Sequence, residues 1–413
     1  MKQLLEKNPT RVVIWALLLV LGGVSVERSV RGSSDFRGFH KIWSDNAVAA
    51  TQPIRGVGTD PDPYPPSSYA IFAPLGYLPI LPAAIVWYLL NVAASWGAWR
   101  GLEELSEEKL TGTETGWLLF ASIAPFWVGN LVSGQNGTIL ICLVVWGYLF
   151  AWRYLYKLAG VVLAVPVLIK AIPVLFLMPF VVSKKFLERD WRIVVAACCA
   201  IGIWIGGVCS LYFGVETNAL FQKRWVGMVV RGPNGVPADP FRPKSMHSGP
   251  RYGNQSSEAV LARLMLDIPV DGKESGVRVN LWSLESATWR RVRTGFAVLV
   301  LLAGMVVLWR SGDRLSGLSQ VSLMSLVMLL ISPIVWTHYY LWMAFPCLDV
   351  LRMRKVSKGA WILMGCWWVG EAGLGSAWLR AVGLHFWLVL LFFLTYAVGG
   401  FLAGEAGRIE QAT

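Results

Sequence analysis

An all-α protein that crosses a membrane many times is the fold class the sequence predicts, and three observations predict it. Of its 413 residues, 55% are hydrophobic and only 15% charged, with a mean hydropathy of +0.53. Ordinary globular domains carry about 25% charged residues. Asp, Glu, Lys and Arg are absent from residues 69–99, 115–152, 193–215, 294–309, 315–348 and 381–404, and roughly twenty apolar residues span a bilayer as a helix. The 22 tryptophans suit a chain that meets the lipid–water interface repeatedly, where indole rings settle. The chain reads as one integral membrane domain, residues 1–413.

Taken in order, the elements begin with an apolar run at residues 12–26. It lacks a small-residue cleavage site and is followed by Glu27-Arg28, so it reads as a first span rather than a removed leader. Basic clusters then orient the chain: Lys2, Lys7 and Arg11; Arg153 and Lys157; Lys184, Lys185, Arg189 and Arg192; Arg310 and Arg314; Arg352, Arg354, Lys355 and Lys358. With all of them cytoplasmic, the chain makes about ten full crossings of the cell membrane with both termini inside. The first loop, residues 27–68, and a large loop, residues 214–291, then share the outer face.

Residues 158–183 decide that topology. A single crossing there inverts every later loop; a hairpin of two short helices keeps the order above and raises the count to about twelve helices. The hairpin is the expectation, because Pro166 and Pro173 disfavour one unbroken helix and half-helices are tolerated where protein buries them. Lys170 then sits at the tip. In the large loop, residues 231–250 are rich in Gly and Pro and predict irregular, mobile chain. After them Asn254-Gln255-Ser256 opens a short amphipathic helix with Val260, Leu261, Leu264 and Met265 on one face, suited to lying on the outer membrane surface.

The composition also excludes. The net charge of +12 falls in short loops between spans, so it points to lipid headgroups and not to nucleic acid. All six cysteines lie in apolar runs without the spacing of a metal site and read as small buried hydrophobes.

Four places set polar groups at the outer end of an apolar helix: Asp35 with His40; Gly134-Gln135-Asn136-Gly137; Lys170; and Thr337-His338-Tyr339-Tyr340. Each alone has a plainer meaning, as a solvated loop acid, a turn, a snorkelling lysine or an aromatic-belt residue. Their convergence on one membrane face is the functional signal. Ionisable groups within membrane segments are costly and tend to be functional. Asn136-Gly137-Thr138 and Asn254-Gln255-Ser256 also fit the N-glycosylation pattern, and both matches read as coincidental.

In this order the motifs resemble those of the polyprenol-phosphate-mannose-dependent glycosyltransferases of family 87. They are Asp35-Phe36 with Phe39; Tyr64-Pro65-Pro66 leading into Phe72-Ala73-Pro74-Leu75; Gly134-Gln135-Asn136; Ala159-Gly160 through Lys170 to Pro173; Asn254-Gln255-Ser256 with Leu261-Ala262-Arg263-Leu264; and Ser332-Pro333 with Trp336 and His338. The chain departs from the pattern at Phe39, at Ser67-Ser68 and at Tyr339, where tyrosine, apolar residues and a second histidine are commoner.

The resemblance implies a GT-C-type bundle whose two outer loops form the active-site face. It implies a hexosyltransferase, mannose being the family's default, that moves a sugar from a polyprenyl-phosphate donor to a hydroxyl of a glycolipid or glycan acceptor. On this expectation Asp35 is the general base of an inverting displacement. Lys170, His338, Gln135, Asn136, Tyr64, Asn254, Gln255 and Ser256 bind donor phosphate or substrate. No metal or other cofactor is expected. The alternative is a transporter or flippase for a lipid-linked or anionic substrate.

Overall fold

The computed structural model describes residues 9–51, 64–182, 190–231, 253–270, 277–311, 315–354 and 357–410, and no strand occurs among them. Of the residues used above, Lys2, Lys7, Lys184, Lys185, Arg189, Arg314, Lys355 and most of the Gly/Pro-rich stretch at 231–250 lie outside this set.

The first loop expected from the sequence contains helix. Helix α1 (Pro9–Arg31) runs past the apolar stretch, the chain turns at Gly32 (φ +86°), and α2 (Asp35–Thr51) starts at once. Residues 27–51 are therefore almost wholly helical. Pro65 is extended at φ −65° and ψ 147° and leads into α3 (Pro66–Gly76) with Pro66 in its first turn, where the missing N–H is no loss. Helices α2 and α3 pack with the backbones of Trp43 and Gly76 in close contact.

Then come α4 (Ile80–Leu105), α5 (Glu114–Ser133), α6 (Gly137–Trp152), α7 (Tyr156–Ile169) and α8 (Ile172–Val182), which opens in 3₁₀ turns. Helix α9 (Trp191–Phe213) contains a π segment at Ile203–Val208 and is followed by α10 (Val215–Arg231). The remainder is α11 (Ser257–Met265), α12 (Ser286–Ser311), α13 (Gly317–Ile331), a 3₁₀ segment Thr337–Met343, α14 (Ala344–Met353), α15 (Lys358–Ala372), α16 (Ala377–Ala381) and α17 (Leu384–Glu410).

Among the described residues four helices, α4, α5, α9 and α12, are long and apolar enough to cross a membrane; α6, α7, α8, α13 and the stretch Leu384–Ala397 of α17 are shorter apolar helices. Their shortness goes with burial. Twelve of the fifteen residues of α13 are buried, and a helix sheathed by protein has no need to match the hydrocarbon thickness. Leu318, Val321, Leu323, Leu326 and Val327 of α13 meet Phe345, Leu348 and Leu351 of α14 in the main core.

The segment around Lys170 turns back on itself between Pro166 and Pro173. Pro166 lies inside α7, and the helix ends four residues later, where Lys170 is extended (φ −153°, ψ 122°). Pro173 then opens the 3₁₀ start of α8. A proline ring costs the helix a hydrogen bond but lets the turn be completed, so the break falls after it. The Tyr148 hydroxyl donates to the Phe176 carbonyl at 2.9 Å and its ring lies 5.1 Å from that of Phe180, so α8 descends alongside α6. The Arg192 guanidinium lies 6.0 Å from the Tyr156 ring. The starts of α7 and α9 are thus at one end of the bundle and Lys170 is at the other, called the upper end below.

Helix α11 departs from its expected place on the membrane surface. Ser257 to Leu264 are all buried, with Val260 against Gly383 and Ala262 beside Trp289 of α12. Its ends are tied to the chain near residues 335 and 380, and those ties draw the whole helix inward.

Candidate active site

Asp35 is the first residue of α2, where the positive end of the helix dipole favours a carboxylate. The Gln135 side-chain amide donates to Asp35 Oδ2 at 2.7 Å. Two features fix that amide. Gly134 takes the left-handed conformation (φ +69°), and a Cβ there would stand 2.5 Å from Phe36 Cβ, so only glycine lets the turn reach α2. Trp87 Nε1 donates to the Gly134 carbonyl at 2.8 Å.

Below the turn is a buried amide network. Asn130 Oδ1 accepts from Gly137 N at 2.9 Å, Asn130 Nδ2 donates to Gln135 O at 3.3 Å, and Thr138 donates to Asn91 Oδ1 at 2.5 Å. The Gln135 carbonyl and the Gly137 N–H at the junction of α5 and α6 find their partners there.

Lys170 closes the same space from another side. Its ammonium donates to the Tyr339 hydroxyl and lies 3.9 Å from the centroid of the Tyr339 ring and 5.4 Å from that of Tyr64, a cation between two phenols. Asp35 is within electrostatic reach of both Lys170 and Tyr339. Ser67 donates to the Leu168 carbonyl at 2.6 Å, pinning the Tyr64-Pro65-Pro66 segment to the end of α7. The His338 ring is 5.0 Å from that of Tyr339, and its Nε2 has no hydrogen-bond partner among the described residues. Asn136 lines a pocket with Phe39, Trp43, Tyr64, Ser68, Tyr69 and Phe72. Among the described residues no three His, Cys, Asp or Glu side chains gather as a metal site requires.

Asp35, Gln135, Asn136, Lys170, Tyr64 and His338 are thus brought together. The other expected residues are not. His40 pairs with the Leu78 carbonyl at 2.9 Å. Asn254, Gln255 and Ser256 are buried and engaged with backbone: Asn254 Oδ1 accepts from Ser256 N at 3.1 Å and Val335 N at 3.0 Å, Gln255 Nε2 donates to Arg380 O at 2.6 Å, and Ser256 Oγ accepts from Ala259 N at 3.1 Å as the cap of α11. Their contacts brace the segment that leads into His338.

Residues 63–333, well over half of the chain, match the sequence model of Glycosyltransferase family 87. The chain belongs to that family. The match opens beside Tyr64 and ends at Pro333, so it includes Gln135, Lys170 and Asn254 and leaves Asp35 and His338 outside. Two curated relatives are polyprenol-phosphate-mannose-dependent alpha-(1-2)-phosphatidylinositol pentamannoside mannosyltransferases. The one from Mycobacterium tuberculosis (strain CDC 1551 / Oshkosh) is 25% identical over 328 residues, 77% of this chain and 65% of that protein. The one from Mycolicibacterium smegmatis (strain ATCC 700084 / mc(2)155) is 27% identical over 332 residues, 77% of this chain and 68% of that protein. The chain thus spans about two thirds of the length of these relatives, and just under that for the first. No solved structure matches it.

Several residues of this candidate site escape a reading of the sequence. Tyr339 is named in the sequence only as a neighbour of His338 and as a departure from the family pattern, yet it is the hydrogen-bond partner of Lys170. Asn91 and Asn130 are lone amides inside apolar runs; polar groups in such places need partners, and that was a usable signal. Arg263 gave none. Fully buried, it donates to Ala381 O at 2.7 Å and Asn254 O at 2.8 Å, and burial draws its guanidinium down to about 10 while the nearby Tyr340 opposes the shift. Burial likewise holds the Glu258 carboxyl above its ordinary range, opposed by Arg293 at 3.1 Å.

Proposed function

We propose that this chain is a membrane glycosyltransferase that moves mannose from a polyprenyl phosphate to a hydroxyl of a glycolipid or glycan on the extracytoplasmic side. The reading is carried by one observation: an acid held by an amide, Asp35 with Gln135, faces an ammonium set between two phenols, Lys170 with Tyr64 and Tyr339. The donor class follows the names of the two relatives. Membership of family 87 supports glycosyl transfer over the transport alternative.

In the proposed step Asp35 takes the proton of the acceptor hydroxyl as that oxygen attacks the anomeric carbon. The bond from that carbon to the phosphate oxygen breaks, and its electron pair leaves with the polyprenyl phosphate. One displacement inverts the anomeric configuration and uses a single carboxylate, whereas retention takes a second as nucleophile. Gln135 occupies one oxygen of Asp35 and leaves the other for the proton. Lys170 and His338 meet the phosphate, whose charge grows as the bond breaks. The leaving group is already a phosphate, so the step asks for no metal.

The accompanying topology has about ten crossings and the Lys170 hairpin, with both termini in the cytoplasm and the upper end outside. The closeness of Arg192 to Tyr156 supports it, because it keeps two basic clusters on one side.

The test is transfer by the purified protein in vesicles, from synthetic polyprenyl phosphomannose to a membrane glycolipid extract. A mannosylated product of inverted configuration is expected. Retained configuration would remove the single displacement, and failure to use any polyprenyl phosphohexose in membranes where the protein is active would remove the function.

A further inference from the structure

Helix α11 is buried, and the membrane-surface position that its pattern suggests falls instead to α10. Helix α9 is apolar enough over Trp191–Phe213 to cross a membrane. It starts at the lower end of the bundle, so Phe213 brings the chain to the upper end. Gly214 alone, at φ +82°, separates it from α10 (Val215–Arg231), a backbone turn that favours glycine. Two contacts then fix the new helix. Asn218 Nδ2 donates to the Ile205 carbonyl at 2.7 Å and to Ser210 Oγ at 2.9 Å, and the Phe221 ring lies 5.3 Å from that of Phe213. Asn218 and Phe221 therefore share the face turned to α9.

The rest of the helix surface is sorted by polarity. At about 100° per residue, one flank beside that face carries Val215, Ala219 and Val226, and the opposite flank carries Thr217 and Arg224. Glu216, Leu220 and Lys223 lie in the arc between them. Val215 is 72% exposed and Val226 50%; Ala219, Glu216, Lys223 and Arg224 are exposed as well. Exposed aliphatic side chains are costly in water, and exposed charges are costly in hydrocarbon. A helix that carries both on separate flanks suits the boundary between the two.

We propose that α10 lies along the bilayer surface at the upper end, with Val215, Ala219 and Val226 seated among the acyl chains and Lys223 and Arg224 meeting the phosphates of anionic phospholipids. Lys223 is at the edge of the apolar flank, where its stem follows the chains and its ammonium rises to the headgroups. Neither cation makes a salt bridge among the described residues, which leaves both charges for the lipid. A lipid surface is favoured over a protein partner because α10 begins where a span ends, so the bilayer already lies beside its apolar flank. The inference rests on α9 crossing the membrane and not on glycosyl transfer.

The experiment uses Val226→Cys and Arg224→Cys in the full-length protein, after a check that each keeps the thermal transition of the unmodified protein. Vesicles of phosphatidylcholine, with or without an equal part of phosphatidylglycerol, are opened by freeze–thaw so that an impermeant maleimide reaches both faces. Above the background of the unmodified protein, labelling is expected to be fast for Arg224→Cys and at least about ten-fold slower for Val226→Cys, whose thiol would sit below the headgroups. Phosphatidylglycerol should slow Val226→Cys further, and adding Lys223→Gln and Arg224→Gln should remove that slowing, about five-fold per cation near an anionic surface. Equal fast rates at the two positions would put α10 in water, and slow rates at both would bury it against another protein or inside the membrane; either result overturns the proposal. So does a Val226→Cys rate that ignores phosphatidylglycerol, or a slowing that survives loss of both cations, because the charges would then have no part in lipid binding.

Discussion

The Gln135 amide reaches the Asp35 carboxylate at 2.7 Å across a hundred residues of chain. That contact joins the start of α2 to the turn between α5 and α6, two places that the sequence keeps far apart. It gives one oxygen of the acid a neutral hydrogen-bond donor.

Asp35→Asn keeps this contact, because the new carbonyl oxygen accepts from Gln135 as well. The fold is therefore expected to persist while turnover drops by at least about 10². Single-turnover transfer measured beside a thermal melt separates the two effects, and a well-folded variant with near-normal rates removes Asp35 from the role of base.

Lys170 and Tyr339 form the next pair. Lys170→Met removes a charged donor and should raise the donor KM by roughly ten- to a hundred-fold. Tyr339→Phe keeps the ring over the ammonium and loses only the hydroxyl, so a smaller rise of about two- to ten-fold is expected. An unchanged KM in Lys170→Met would leave that lysine a merely structural group.

Gly134→Ala should cripple the protein before any chemistry. Its left-handed backbone costs a non-glycine residue about 1–3 kcal/mol, and the added methyl would overlap Phe36, 2.5 Å away. A lowered unfolding temperature in detergent is the readout, together with a loss of turnover that greater expression does not restore.

Arg263→Met leaves the carbonyls of Ala381 and Asn254 without their donors. The expected loss of stability is about 2–5 kcal/mol, from buried acceptors left unpaired. Arg263→Lys should rescue little, since an ammonium cannot reproduce the fork of donors that spans both carbonyls. Full stability in Arg263→Met would show that the tie between α11 and α16 is dispensable.

Much of this site was readable one motif at a time, because membrane segments tolerate few polar residues and those that occur stand out. Asp35, Lys170 and His338 are visible in that way, as is the Gly-Gln-Asn turn. The role of Asn254-Gln255-Ser256 was not. Its three polar side chains look ready for a ligand in sequence, but in the fold each answers a backbone group or caps α11. The same bonds explain why α11 lies inside the protein, since an amphipathic pattern says that one face is buried and not what buries it. Tyr339 was hidden for a different reason: a tyrosine in an aromatic-rich segment is ordinary until the lysine it meets, from a distant helix end, is known.

By itself the sequence determined that the chain is helical and built for lipid, since uncharged length and the cost of an unpaired backbone in hydrocarbon leave few other structures. It also set where polar groups interrupt the apolar runs. Which of those groups meet was decided only by the tertiary structure. Contacts such as Asp35 with Gln135 and Lys170 with Tyr339 depend on how helices of nearly uniform apolar surface pack, and that packing is settled by close steric fits, as at Gly134, that no linear pattern encodes.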